Sequence, residues 1–161
     1  MASDKPKGYR PNVGIVVFNA DGKVWLGHRY GMTGDHSWQF PQGGVDEGED
    51  LEVAARRELF EETGIRSVDI VARTADWIYY DFPPEVLAQG KIGKNFLGQK
   101  QVWYAMRFTG RDDEIDLNAH HEQEFSRWEW CDIDRVIDRV VSFKRDSYRK
   151  VIAEFRHIFK I

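Results

Sequence analysis

Three glutamates in one short segment are the clearest chemistry-bearing feature of the chain. The stretch GGVDEGEDLEVAARRELFEETGI runs from Gly43 to Ile65 and gathers Glu58, Glu61 and Glu62 where the apolar pattern is helical. At about 100° per residue these carboxylates share an arc of about 100° on one side of the helix. Glu58 and Glu62 form an i, i+4 like-charge pair, which costs an isolated helix a few tenths of a kcal/mol. Arg57 can pair with Glu61, but no base is spaced to relieve Glu58 and Glu62 together. Acids near a helix C-terminus also oppose the macrodipole. A divalent cation removes all three penalties, because hard cations take carboxylate oxygens. The plainer alternative is a solvated acidic face.

The elements that must hold these residues can be read from the pattern. VGIVVFN (residues 13–19) and KVWLGHRY (23–30) flank ADG and read as a β-hairpin. WQF before PQGG is a short strand entering a turn. Leu51 to Thr63 reads as a helix with Gly64 as its stop. VDIVARTADWIYYDF and QKQVWYAMRFT read as further strands, separated by a loop that opens with Pro83-Pro84, and RWEWCDI as a last strand. DIDRVIDRVVSF (132–143) and RDSYRKVIAEFRHIF (145–159) read as two helices, the second with Tyr148, Val151, Ile152, Phe155 and Phe159 at helical spacing. The expected fold is α/β (α+β), a mixed sheet with about three helices layered on both faces.

Composition bounds the possibilities. At 161 residues, with no repeat or long linker, the chain reads as one domain, 1–161. The start, MASDKPKGYRPN, lacks an apolar signal-peptide core, and no apolar run approaches the roughly 20 residues of a membrane helix. A single cysteine, Cys131, excludes an intrachain disulfide, so a reducing cytoplasm is expected. A net charge of −4 argues against indiscriminate nucleic-acid binding. Yet residues 136–161 carry seven Lys/Arg against three acids, a local +4. That is either a solvated amphipathic face or a cationic wall beside an anionic substrate.

Gly43, Glu49, Arg57, Glu58, Glu61, Glu62 and Gly64 follow the order G-x5-E-x7-R-E-U-x-E-E-x-G-U, with Leu59 and Ile65 at the apolar positions. This resembles the Nudix box (43–65), the signature of hydrolases that cleave nucleoside diphosphates linked to another moiety. The resemblance implies the Nudix fold, an α/β/α sandwich. It also implies Mg²⁺ or Mn²⁺, two or more ions, held by Glu58, Glu61 and Glu62. Glu49, Arg57 and Gly64 would shape the box, and Gly43-Gly44 would let the backbone approach metal and phosphate. Two or three cations neutralise a polyphosphate and activate a water. One carboxylate must stay free for the proton, whether Glu61, Glu62 or a loop acid from across the site. Glu122 and Glu124 in HHEQEF are the candidates, and Glu124 is preferred from its place before FSRWEW. His120 and His121 are set aside, since surface histidines beside acids are common.

GYRPNVGIVVFN, HSWQFPQGGVDEGE, GQKQVWYAMRF, EFSRWEW and VVSFKRDSYRKVIAEF extend the resemblance to the bacterial RNA pyrophosphohydrolase branch, which removes pyrophosphate from the 5′-triphosphate end of RNA and so initiates mRNA decay. Some members split dinucleoside polyphosphates such as diadenosine tetraphosphate, and that is the alternative substrate class. A nucleotide-sensing module without activity is the remote third reading, and its box should be broken. One departure is a few extra residues in YGMTGDHSWQF (the 31–37 loop), beside the expected substrate mouth. The residues themselves also fit a nucleotide polyphosphate. Arg10 and Arg29 can reach phosphates from strand ends, unless they serve only surface salt bridges. Phe143 beside Lys144 offers a base-stacking face next to a cation, and Tyr80 a second face. Core packing is the alternative for both rings.

Overall fold

Strand β1 (Tyr9–Phe18) turns at Asn19, whose side-chain Oδ1 accepts from the Asp21 and Lys23 N–H groups, each at 3.0 Å. That local bonding, with Gly22 at φ 77°, makes the turn into β2 (Val24–Arg29). The structure is a computed structural model that describes residues 8–88, 96–120 and 122–159. The polar start, His121 and Lys160 lie outside the described residues.

The remaining strands are β3 (Trp38–Gln39), β4 (Gln42–Gly44), β5 (Val68–Arg73), β6 (Ile78–Asp81), β7 (Gly98–Phe108) and β8 (Phe125–Cys131). They form one mixed sheet in the order β3-β2-β1-β7-β5, with β4 on β1, β6 on β7 and β8 on β2. The central β1–β7 pair is parallel, in register from Tyr9↔Gly98 to Phe18↔Arg107, and the other pairs are antiparallel. Both faces of β1 are covered, which is why VGIVVF reads as a continuous apolar run rather than an alternation. Val13, Ile15 and Val17 pack on Ala54, Ala55 and Leu59 of α1 (Leu51–Thr63). Val16 and Phe18 pack with Tyr148, Val151, Ile152 and Phe155 of α3 (Arg145–Phe159) on the other face. The expected α/β/α sandwich is the observed architecture.

Three local expectations need correction. Residues 132–143 form three 3-10 turns in series, not an α-helix: Val136 joins the first two in the right-handed helical region, and Val140 and Val141 leave it before the third. β-branched residues crowd this stretch, and both Val136 and Val140 must enter the core, so the chain breaks its helical course at Val140 (φ −97°, ψ 153°). The strand read through 68–82 is two strands, parted where Thr74 turns inward and its Oγ1 accepts from the Trp103 N–H at 3.0 Å. Pro84 opens a short helix, α2 (Pro84–Ala88), consistent with proline at a first helical position.

Candidate active site

Helix α1 is defined at both ends by single residues. Asp50 caps it, accepting from the Glu52 and Val53 N–H groups at 3.0 and 3.2 Å. Gly64 ends it in the left-handed region at φ 75°, in a space so tight that a Cβ would lie 2.9 Å from the Asp116 nitrogen. Between these ends Arg57 organises the approaching loop. Its guanidinium forks onto both oxygens of Glu49 at 2.8 Å and bonds the Gly44 carbonyl at 3.1 Å. Those bonds, with the Asp46 N–H, hold the Glu49 carboxyl down at about 2. Glu49 and Arg57 thus have the register-holding geometry expected of them.

Arg57 does more than the spacing suggests. Its Nη1 also reaches Glu58 at 3.0 Å and Glu61 at 3.4 Å, so Glu58 is relieved after all. Glu62 is not. Only 7% exposed, its Oε1 accepts from the Gln42 N–H at 3.3 Å. Burial, then the charges of Glu124 and Glu58, push its pKa well up. Glu58 is shifted up as well, chiefly by burial. Gly43 lets Glu58 lie directly against the loop: a Cβ there would stand 1.9 Å from Glu58 Oε2 and displace that carboxylate.

A hard cation fits this arrangement: the donors are carboxylates, and the most buried of them makes no ion pair among the described residues. Among the described residues no three acidic, histidine or cysteine side chains are gathered tightly enough to hold a metal as they stand. Glu58 and Glu61 are engaged by Arg57, and ligation means exchanging that guanidinium for the ion.

Glu124 comes from across the sheet, just before β8, where its backbone carbonyl accepts from the Tyr30 N–H at 2.8 Å. Its carboxylate is exposed yet close enough to bear electrostatically on Glu62 and Lys144. Glu122 is exposed, with its N–H 3.5 Å from His120 Nδ1. The structure therefore brings Glu58, Glu62 and Glu124 together, with Glu61 beside them on α1.

The cationic side is split in two. Arg10 is exposed and lies against Gly44, where a Cβ would come within 2.6 Å of its Nη2. Arg29 is half-buried, and its charge bears on Lys144, Tyr80 and Tyr148. Among the described residues neither arginine has a carboxylate partner, so the salt-bridge reading of both falls away. Lys144 differs from the exposed cation that SFKRD suggests. It is buried, donates to Gln39 Oε1 at 3.1 Å, and is drawn down to about 8 by burial and by Arg29. Phe143 and Tyr80 pack on each other, rings 5.8 Å apart at 51°. Tyr80 is mostly enclosed, its hydroxyl donating to Gln99 Oε1 at 2.8 Å, and burial pushes it up to about 12. Phe143 keeps partial exposure beside a cavity of about 240 Å³ that Asp81, Asp146 and Lys150 also line.

Sequence reasoning missed the floor of the site, a chain of buried amides. Gln101 donates to Asn12 Oδ1 at 2.8 Å and to Gln99 Oε1 at 3.3 Å, while Trp103 Nε1 donates to Gln101 Oε1 at 3.1 Å. A signal existed: Gln99, Gln101 and Trp103 alternate along one strand, so they must share a face.

Comparison with known proteins agrees with the geometry. A match to the NUDIX domain family covers residues 8–154, and the chain belongs to that family. An RNA pyrophosphohydrolase of Caulobacter vibrioides (strain NA1000 / CB15N) is 56% identical over 153 residues, covering 95% of this chain and 88% of that protein. One from Rhizobium meliloti (strain 1021) is 46% identical over 168 residues, 99% of each chain. Two solved structures share the fold at lower identity. The E. coli dihydroneopterin triphosphate pyrophosphohydrolase has a TM-score of 0.68 at 18% identity, over 92% of this chain and 99% of that one. A C. elegans Ap4A hydrolase binary complex has a TM-score of 0.64 at 21% identity, over 92% and 98%.

Proposed function

We propose that this protein is a divalent-cation-dependent RNA pyrophosphohydrolase, acting as one domain in the cytoplasm, that removes pyrophosphate from 5′-triphosphorylated RNA and thereby opens transcripts to decay. The observation that carries the reading is the buried Glu62 set between Glu58 and Glu124, with Arg10 and Arg29, neither ion-paired among the described residues, on the strands around it. Close relatives of nearly the same length that bear that activity's name support it.

In this reading Glu58, Glu61 and Glu62 would hold Mg²⁺ or Mn²⁺ at two or more positions, with Glu124 kept as the free carboxylate rather than as a further ligand. The ions supply charge neutralisation of the phosphates and a water of lowered pKa. Arg10 and Arg29 clamp the polyphosphate from the strand ends, fixing the bond to be broken relative to the carboxylates. Glu124, on the opposite wall, takes the proton of the attacking water. Phe143 presents its open side to a base, with Tyr80 supporting it from behind. Lys144 contributes its charge from within, held on Gln39. The intact carboxylate set disfavours the inactive sensor.

Rates on a triphosphorylated RNA and on diadenosine tetraphosphate, measured side by side with Mg²⁺, test the assignment. Faster turnover of the RNA is expected. A clear preference for diadenosine tetraphosphate would move the protein to the dinucleoside polyphosphate class.

A further inference from the structure

A second cationic surface lies beside this site and has no part in the chemistry above. Residue pairing along β2 and β8 runs His28↔Arg127 and then Arg29↔Phe125, so Ser126 is an extra residue, a β-bulge. The bulge reverses the side-chain alternation of β8. Phe125 packs on Trp25 in the core under α1, whereas Arg127 is turned to the opposite face, over the Trp38 ring at 5.4 Å. Arg139 also covers Trp38, at 4.3 Å, and is held there by ion pairing with Glu129. Next to them is a cavity of about 330 Å³ lined by Asp35, Trp38, Arg135, Asp138 and Arg139.

The charges here are not used up internally. Glu129 neutralises Arg139, but among the described residues Arg127 and Arg135 are exposed and make no ion pair. Arg145, the residue after Lys144, bonds the Val140 carbonyl at 3.3 Å and lies 3.3 Å from His36 Nδ1, again with no carboxylate. Three guanidiniums with no carboxylate partner among the described residues, Arg127, Arg135 and Arg145, thus lie near two acids, Asp35 and Asp138. The surface is continuous with the catalytic groups. Arg127 is three residues along β8 from Glu124, about 10 Å of strand, and Gln39, which holds Lys144, adjoins Trp38.

We propose that Arg127, Arg135 and Arg145, backed by Trp38, form a track for the phosphodiester backbone of single-stranded RNA beyond the hydrolysed end. Trp38 itself is covered by guanidiniums and only 8% exposed, so the track grips phosphates rather than stacking bases. Such contacts are independent of base identity and release counterions. The inference rests on the RNA reading above, and it predicts that affinity grows with RNA length.

Binding is measured by fluorescence anisotropy in EDTA, so that no turnover occurs. The probes are 3′-labelled, 5′-triphosphorylated single strands, one a dinucleotide and one of about 12 nucleotides, within the ~4–16 that small single-strand-binding folds track. Arg127→Ala with Arg135→Ala should weaken the longer probe on the order of tenfold and flatten its log–log salt slope by about 1.4, at ~0.7 per phosphate. The dinucleotide should bind as before. Arg135→Ala alone, whose guanidinium is exposed and makes no hydrogen bond or ion pair among the described residues, should give part of the loss with no change in melting temperature. Asp35→Asn should tighten the longer probe. Equal affinity of the wild type for both lengths, or equal losses on both in the double variant, overturns the proposal. Length-dependent binding by a protein that fails to hydrolyse RNA with Mg²⁺ would sustain the track while refuting the proposed activity.

Discussion

Glu62 is the residue on which the proposed chemistry turns, because it combines burial with two like-charged neighbours and makes no ion pair among the described residues. Glu62→Gln should abolish turnover while leaving the metal-free protein at least as stable, since an i, i+4 repulsion disappears with the charge. Activity within about tenfold of wild type at saturating Mg²⁺, a difference of under ~1.4 kcal/mol, would remove Glu62 from the ligand set. Glu124 has a different signature. A group that takes a proton in the transition state contributes there and little to ground-state binding, so Glu124→Gln should lower kcat far more than it raises KM. Loss confined to Glu122→Gln instead would identify the other acid of the pair.

Helix α1 and the loop before it carry opposing titrations. Arg57 holds Glu49 low, so that pair stabilises the fold above about pH 4.5 and is lost only as pH falls through about 2. Glu62 is raised, so its proton is bound more tightly folded than unfolded; the resulting stability is complete below about pH 4.5 and is lost as pH rises through the elevated pKa. Lys144, by contrast, is drawn down to about 8. The metal-free protein should therefore melt at a falling temperature as pH rises above about 4.5. Mg²⁺ or the Glu62→Gln change should flatten the slope. A profile in EDTA as flat as that with Mg²⁺ would show that Glu62 is not strained by its neighbours.

Across the molecule, the α3 face of the sheet is tied to the strand entering the site by a buried hydrogen bond. Tyr148 of α3 sits fully buried beneath the site, its ring stacked 4.8 Å from Phe40, and its hydroxyl oxygen accepts from the Phe40 N–H at 3.0 Å. Tyr148→Phe keeps the ring and orphans a buried backbone donor, which should cost about 1–3 kcal/mol in denaturant unfolding. An unchanged midpoint would mean that Phe40 has another partner.

Much of this was legible in the residues themselves because it depends on contacts close along the chain. The box helix, its Gly64 end, the hairpin at Asn19 and α3 all follow from local turn chemistry and periodicity, and Glu58, Glu61 and Glu62 share a face by helical geometry alone; the Asp50 cap came only with the structure. The eight-stranded sheet and the amide floor did not follow, because side chains such as Gln101 and Asn12 are brought together by the parallel β1–β7 pairing across about ninety positions of sequence. The burial of Lys144, the packing of Phe143 against Tyr80 and the collapse of 132–143 into 3-10 turns were likewise decided by packing against the sheet. Arg127 shows the distinction most plainly. Its type is written in the sequence, but its face was set by one extra residue in the β2–β8 register, since a slip of one position exchanges the two sides of a strand.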